Sequence, residues 1–140
     1  MTTRKPTCSL FSAALLLCAT FTGTSATAQA DEARAKKIAG GSCFLCHGAQ
    51  GEGVKSNGAL AYPALAGNRA VTMASPANLV QIVLNGGFAP ATEGHPRPFG
   101  MPPFVLQLSD SELADVLTYV RTQWGNQAAP VSALDVQRVR

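Results

Sequence analysis

The segment Cys43-Phe44-Leu45-Cys46-His47 constrains this chain more than any other stretch of it. Two thiols three positions apart, with an imidazole beside the second, gather three donors on one short piece of backbone. What they can do depends on which other thiols remain in the folded protein. The chain has four cysteines, and the other two, Cys8 and Cys18, lie in a stretch laid out like a secretory leader. Arg4 and Lys5 give a positive start, an apolar run extends from about Leu10 to Phe21, and small and polar residues lead to Ala28-Gln29-Ala30. The apolar run falls short of the about 20 residues that span a bilayer. Leu17 precedes Cys18 where a lipid-attachment site would carry a small residue. Residues 1–30 are therefore predicted to be a signal peptide, cleaved after Ala30 with Ala26 and Ala28 as alternatives, and the protein to be periplasmic with no retained membrane span. Without the leader, Cys43 and Cys46 are the only thiols, in an oxidising compartment where free thiols seldom stay idle. They form a disulfide, ligate a metal or attach a cofactor.

About 110 residues remain, near the common size of one domain; that domain is predicted over 31–125, with a tail over 126–140. The leader takes Arg4 and Lys5 with it, so the balance left is close to neutral. A nucleic-acid partner wants a clustered basic face, which is lacking. Asp31 to about Gly40 reads as a first helix, acids at its start and Gly40-Gly41-Ser42 as its stop. Ala49 to Leu60 is polar and Gly-rich and reads as loop. Ser75 to Asn85 reads as a second helix, with Ser75 as N-cap, Pro76 as first residue and Gly86 as stop; Leu79, Ile82 and Val83 share one face. Pro90, Pro96, Pro98, Pro102 and Pro103 keep the next stretch irregular. Ser109-Asp110-Ser111-Glu112 is a capping box, followed by Leu113, Val116, Leu117, Val120 and Trp124 on one face up to Gly125. Ser132 and Asp135 repeat the box in the tail, with Val131 and Val136 as a hydrophobic staple. No segment alternates convincingly at period two. Three helices and long loops bury little unless something central is there to pack on, and a large flat apolar cofactor meets that need.

C-x-x-C-H is the attachment pattern of c-type haem. Two thiols at this spacing on a tight turn can add to two vinyl groups on neighbouring pyrroles, which places the adjacent His47 beneath the iron. A thioredoxin-like redox pair wants a βαβ context, and a structural zinc site wants four ligands, for which only Cys43, Cys46, His47 and the distant His95 are on offer. The expectation is one haem c, covalent through Cys43 and Cys46, with His47 as an iron ligand. For the sixth position Met101 is preferred, on the proline-stiffened Phe99-Gly100-Met101-Pro102-Pro103-Phe104 loop; His95 and an open site are the rivals, and Met73 reads as a core filler. A His/Met pair raises the reduction potential, and a bound thioether keeps oxygen and peroxide off the iron. An electron carrier is thus expected; the alternative is a haem enzyme or gas sensor with an open sixth site. Phe88, Phe99 and Phe104 read as loop packing in preference to a ring around an exposed haem edge.

Together with Tyr62-Pro63-Ala64-Leu65-Ala66-Gly67-Asn68 and the last helix, these segments resemble the class I cytochrome c family from about Asp31 to Trp124. The resemblance implies an all-α fold of three main helices and long loops around the haem, the first and last helices crossing near the attachment site. It implies that the Pro63 carbonyl accepts the Nδ1 proton of His47, that Leu65 packs on the haem and that Tyr119 faces the crossing. The haem-contacting set is then Cys43, Cys46, His47, Pro63, Leu65 and Met101, with His47 and Met101 on the iron and no catalytic residue. Ala35 and Ala39 depart from the family, which often has a glycine and an aromatic residue there. Val83-Leu84-Asn85-Gly86-Gly87 and Trp124-Gly125-Asn126 look like the cytochrome modules of bacterial alcohol and aldehyde dehydrogenases. That likeness implies redox protein partners (a dehydrogenase, an oxidase or another cytochrome) and single-electron carriage toward the respiratory chain, not an enzyme.

Overall fold

The computed structural model describes residues 26–88 and 99–140. Most of the predicted leader, and His95 with Pro90, Pro96 and Pro98, lie outside the described residues. Two helices dominate: α1 over Ala26–Ser42 and α5 over Asp110–Thr122. They pack against each other through Ala35 and Ala39, both fully buried. Two alanines at i and i+4 leave no bulk between the helices, so the backbones approach closely. The aromatic side chain expected on α1 comes instead from α2, Phe44–His47, which follows within one residue. Phe44 meets Trp124 edge-on at 5.9 Å and Tyr119 at 6.4 Å, and Tyr119 meets Trp124 edge-on at 5.9 Å. Such tilted aromatic pairs each contribute about 0.5–1.5 kcal/mol beyond their burial. Tyr119 faces this crossing, 7% exposed.

The second half of the core joins α4, Ala77–Asn85, which follows the short α3 at Arg69–Thr72, to α5 and to α6, Ala133–Gln137. Val80, Leu84, Leu113, Leu117 and Val136 are all buried there. Each such side chain contributes about 1.5–3 kcal/mol relative to exposure. The apolar residues of α4 serve two masters: Val80 and Leu84 enter this core, whereas Leu79 and Ile82 line a cavity. Both capping boxes form. Ser109 N–H donates to Glu112 at 2.9 Å and Glu112 N–H donates to Ser109 Oγ at 3.3 Å; Ser132 and Asp135 do the same at 3.0 and 3.2 Å. Val131 and Val136 are buried together, so the tail packs into the main core.

Four local expectations need correction. α1 begins at Ala26, ahead of Asp31, and ends at Ser42, the last residue of the Gly40-Gly41-Ser42 stop, with both glycines inside the helix and Cys43 N–H still donating to Ala39 at 2.8 Å. Packing of Ala35 and Ala39 outweighs the about 1 kcal/mol per glycine that opposes helix. Pro76 directly flanks α4 and its carbonyl takes the first helical bond from Val80, while the Ser75 hydroxyl still caps the helix by accepting from Ala77 N–H at 3.4 Å. α5 stops at Thr122, and Trp124 adopts a left-handed backbone, φ 55°, which turns its ring back onto Phe44. The stretch read as loop contains an antiparallel hairpin, β1 Val54–Ser56 with β2 Ala59–Tyr62. Asn57 and Gly58 both have positive φ at its tip, the Asn-Gly signature of a tight hairpin turn. Its strands are too short and too exposed to alternate, so only the turn announces it. Among the described residues, no helix is long and apolar enough to cross a membrane.

Candidate haem site

The cysteine-bearing segment follows directly on α1. Cys43 closes the last turn, and His47 N–H donates to Cys43 at 2.9 Å, completing α2. Both thiols are unpaired and partly buried. Burial pushes the Cys43 thiol up from its ordinary value, with the neighbouring Cys46 adding to the effect. The His47 Nδ1 lies 2.7 Å from the Pro63 carbonyl oxygen. A carbonyl only accepts, so Nδ1 carries a proton, and in the neutral ring Nε2 keeps its lone pair. The Gly51–Gly53 turn holds Pro63 there: Gly53 N–H donates to His47 at 2.7 Å, and Leu65 and Ala66 N–H donate to Gly51 at 2.7 and 2.9 Å. Gly53 has φ 75°, and a Cβ on it would stand 2.6 Å from the Tyr62 carbonyl, so no larger residue fits.

Met101 comes from the opposite side. Its backbone pairs with Gly87 in both directions, at 3.0 and 2.8 Å, just beyond the end of α4. Phe104 N–H then donates to Val83 at 3.0 Å, and Val105 N–H to Leu84 at 3.1 Å. The proline-rich segment is therefore sewn to α4. Gly86 allows the close approach, since a Cβ there would meet the Met101 carbonyl at 2.4 Å.

Between these walls lie two adjoining spaces of about 680 and about 1090 Å³, counting the parts open to solvent. Cys43, His47, Pro63, Ile82, Met101 and Phe104 line both; Cys46 lines the first and Leu65 the second. Among the described residues, no aspartate, glutamate, lysine or arginine borders either space. The structure thus gathers all six residues singled out in the sequence around one apolar hollow. Among the described residues no three His, Cys, Asp or Glu side chains converge as a metal-binding group. The hollow suits a large apolar ring that brings its own metal: unpaired thiols at the edge, an oriented imidazole on one wall, a thioether on another.

Comparison with protein families matches residues 32–124 to cytochrome c. The chain belongs to the cytochrome c family. Members of this family carry covalently bound haem c and transfer electrons. This cytochrome is 41% identical over 99 residues to the alcohol dehydrogenase (quinone) cytochrome c subunit of Gluconobacter oxydans (strain 621H), covering 70% of this chain and 20% of the relative. It is 38% identical over 102 residues to the gluconate 2-dehydrogenase cytochrome c subunit of Pantoea cypripedii, covering 71% and 22%. With the fructose dehydrogenase cytochrome subunit of Gluconobacter japonicus it shares 34% over 101 residues, covering 70% and 20%. The cytochrome thus spans about a fifth of the length of these curated relatives.

Several residues of the site carry more than the sequence suggests. Met73 is no core filler: it is 45% exposed, and its carbonyl serves as a hydrogen-bond acceptor. Phe99 stacks on Tyr62, centroids 5.0 Å apart and planes 14° apart, at the rim of the smaller space. Phe104 lines both spaces, while Phe88 is 80% exposed. Asn126, the first residue of the predicted tail, is buried at 4% exposure. Its amide nitrogen donates to Leu65 at 3.1 Å and to Val120 at 2.8 Å, and its oxygen accepts from Gly67 at 2.9 Å. It locks the Leu65 wall to the end of α5.

Proposed function

We propose that this cytochrome is an exported one-electron carrier with one haem, covalent through Cys43 and Cys46 and ligated by His47 and Met101. The observation that carries the reading is the placement of His47 and Met101 on the walls of one apolar hollow edged by two free thiols. When bound, haem supplies an iron that alternates between ferrous and ferric states. The chain does the rest. Pro63 fixes the orientation of the His47 ring. Gly87 holds the Met101 backbone through both its N–H and its carbonyl, which fixes the segment that carries the sulfur. Met101 and Phe104 close that wall against oxygen and peroxide, which suits carriage and not catalysis. A His/Met pair favours a raised potential.

The curated relatives are cytochrome subunits of dehydrogenases. By that likeness this cytochrome takes electrons from a periplasmic or membrane dehydrogenase and passes them toward the respiratory chain. The leader-like residues 1–30 support export. A haem-stained denaturing gel of protein made in a haem-competent periplasm tests attachment; colourless protein sinks the reading. The ferric spectrum tests ligation. Wild type shows a sulfur-to-iron charge-transfer band, and Met101→Ala abolishes it; a high-spin spectrum with Met101 intact returns the open-site alternative.

A further inference from the structure

Arg121 lies on the buried side of α5 with 1% of its surface exposed. Its neighbours on the helix, Val120 and Leu117, border the larger space beside His47 and Met101. Among the described residues its guanidinium meets no carboxylate: the ion pairs there use Arg34, Arg138 and Arg140. Instead Nε donates to the Ala129 carbonyl at 2.8 Å, and one terminal nitrogen donates to Val71 at 2.7 Å and Met73 at 2.9 Å. Val71 in turn borders the same space.

Burying a charge is costly, and an apolar side chain of like volume often serves stability as well or better. Three carbonyls accept from Nε and one terminal nitrogen of Arg121 but do not cancel its charge. The charge therefore acts across a dry interior, where effective dielectric is low and salt screens little.

We propose that Arg121 sets the reduction potential of this cytochrome, as an uncompensated buried cation one helix position from the cavity wall. The inference rests on the haem reading of that cavity. When the iron gives up its electron to an acceptor protein it gains one positive charge, which Arg121 repels. The ferrous state is favoured and the potential rises. At an effective dielectric of about 20, a buried unit charge beside the cavity wall changes a one-electron equilibrium on the order of tenfold. Tenfold corresponds to about 59 mV for one electron.

The test is spectroelectrochemical titration of the full-length haem-loaded protein as wild type, Arg121→Gln and Arg121→Lys, at low and high salt. Arg121→Gln is expected to shift the equilibrium about tenfold toward ferric iron at both salt concentrations. Arg121→Lys, which keeps the charge but not the fork, is expected to stay within about twofold of wild type while unfolding more easily. An unchanged potential in Arg121→Gln, or equal falls in both variants, overturns the proposal and leaves a structural clamp. Should Arg121→Gln not fold, Ala129→Asp against Ala129→Asn places a counter-charge beside the guanidinium from the surface. A salt-resistant fall in potential for the acid variant supports the proposal, and equal potentials overturn it. Wild-type protein that stains for no haem refutes the cofactor reading itself, a result distinct from all of these.

Discussion

Gly86→Ala should damage the Met101 wall out of proportion to one methyl group. Gly86 has φ 67° and ψ −160°, a region in which only glycine is at ease; any other residue there costs about 1–3 kcal/mol. The added Cβ would also stand 2.4 Å from the Met101 carbonyl oxygen and 2.9 Å from backbone atoms of Pro102 and Pro103. Backbone cannot swing aside as a side chain can, so the 101–103 segment must move away from α4. That movement breaks the two Gly87–Met101 hydrogen bonds, each contributing about 0.5–1.5 kcal/mol. Strain and lost bonds together amount to about 2–6 kcal/mol. Gly58→Ala is the control: φ is 80° there too, but nothing stands within 4 Å of the added Cβ, so the cost stays near 1 kcal/mol. Denaturant unfolding of the haem-loaded variants measures the difference, and the ferric charge-transfer band reports the sulfur. If Gly86→Ala matches Gly58→Ala in stability and keeps the full band, the claim that backbone contact at Gly86 positions Met101 is wrong.

Leu84→Ala, at a side chain 1% exposed among Val80, Leu113 and Val136, should cost about 2–5 kcal/mol in denaturant unfolding. The optical spectrum should not change, because Leu84 does not border the cavity. Acid should loosen the two capping boxes. The hydroxyls of Ser109 and Ser132, followed by their backbone N–H groups, hold the Glu112 and Asp135 carboxyls below their ordinary values. A carboxyl held lower in the folded state stabilises it fully above the unfolded value of about 4. That contribution fades as pH falls through the lower folded value. Thermal melts below about pH 4 should therefore drop less steeply in Ser109→Ala/Ser132→Ala than in wild type; equal slopes would refute the assignment.

What was legible beforehand was mostly local. A capping box needs four consecutive residues, so Ser109–Glu112 and Ser132–Asp135 could be read directly. The attachment motif is likewise contiguous, and a proline-rich segment with one methionine is conspicuous in so short a chain. Arg121 was not legible, because its acceptors at Val71 and Met73 lie about fifty positions away. On a helix it looks like an ordinary charge beside an apolar stripe. Asn126 hid for the same reason. The end of α5 was misplaced because Trp124 keeps helical spacing in sequence while its backbone has already turned, drawn by Phe44 and Tyr119. The hairpin was the one local feature overlooked: Asn57-Gly58 is a strong turn signal, but its flanks lack the alternation that usually accompanies it.

The buried pair Val131 and Val136 bears on where this unit can be cut. Similarity to cytochrome c ends at Trp124, yet α6 covers Val80, Leu113 and Leu117 from beyond that point. A graft that stopped at the family boundary would carry the whole haem hollow and leave one side of its core open to water. Engineers joining this cytochrome to another protein should keep Val139, whose side chain still packs on that core, and Arg140, which donates to Asp110, and place the junction after both. The stretch that shows family likeness is thus shorter than the stretch that must travel together to fold.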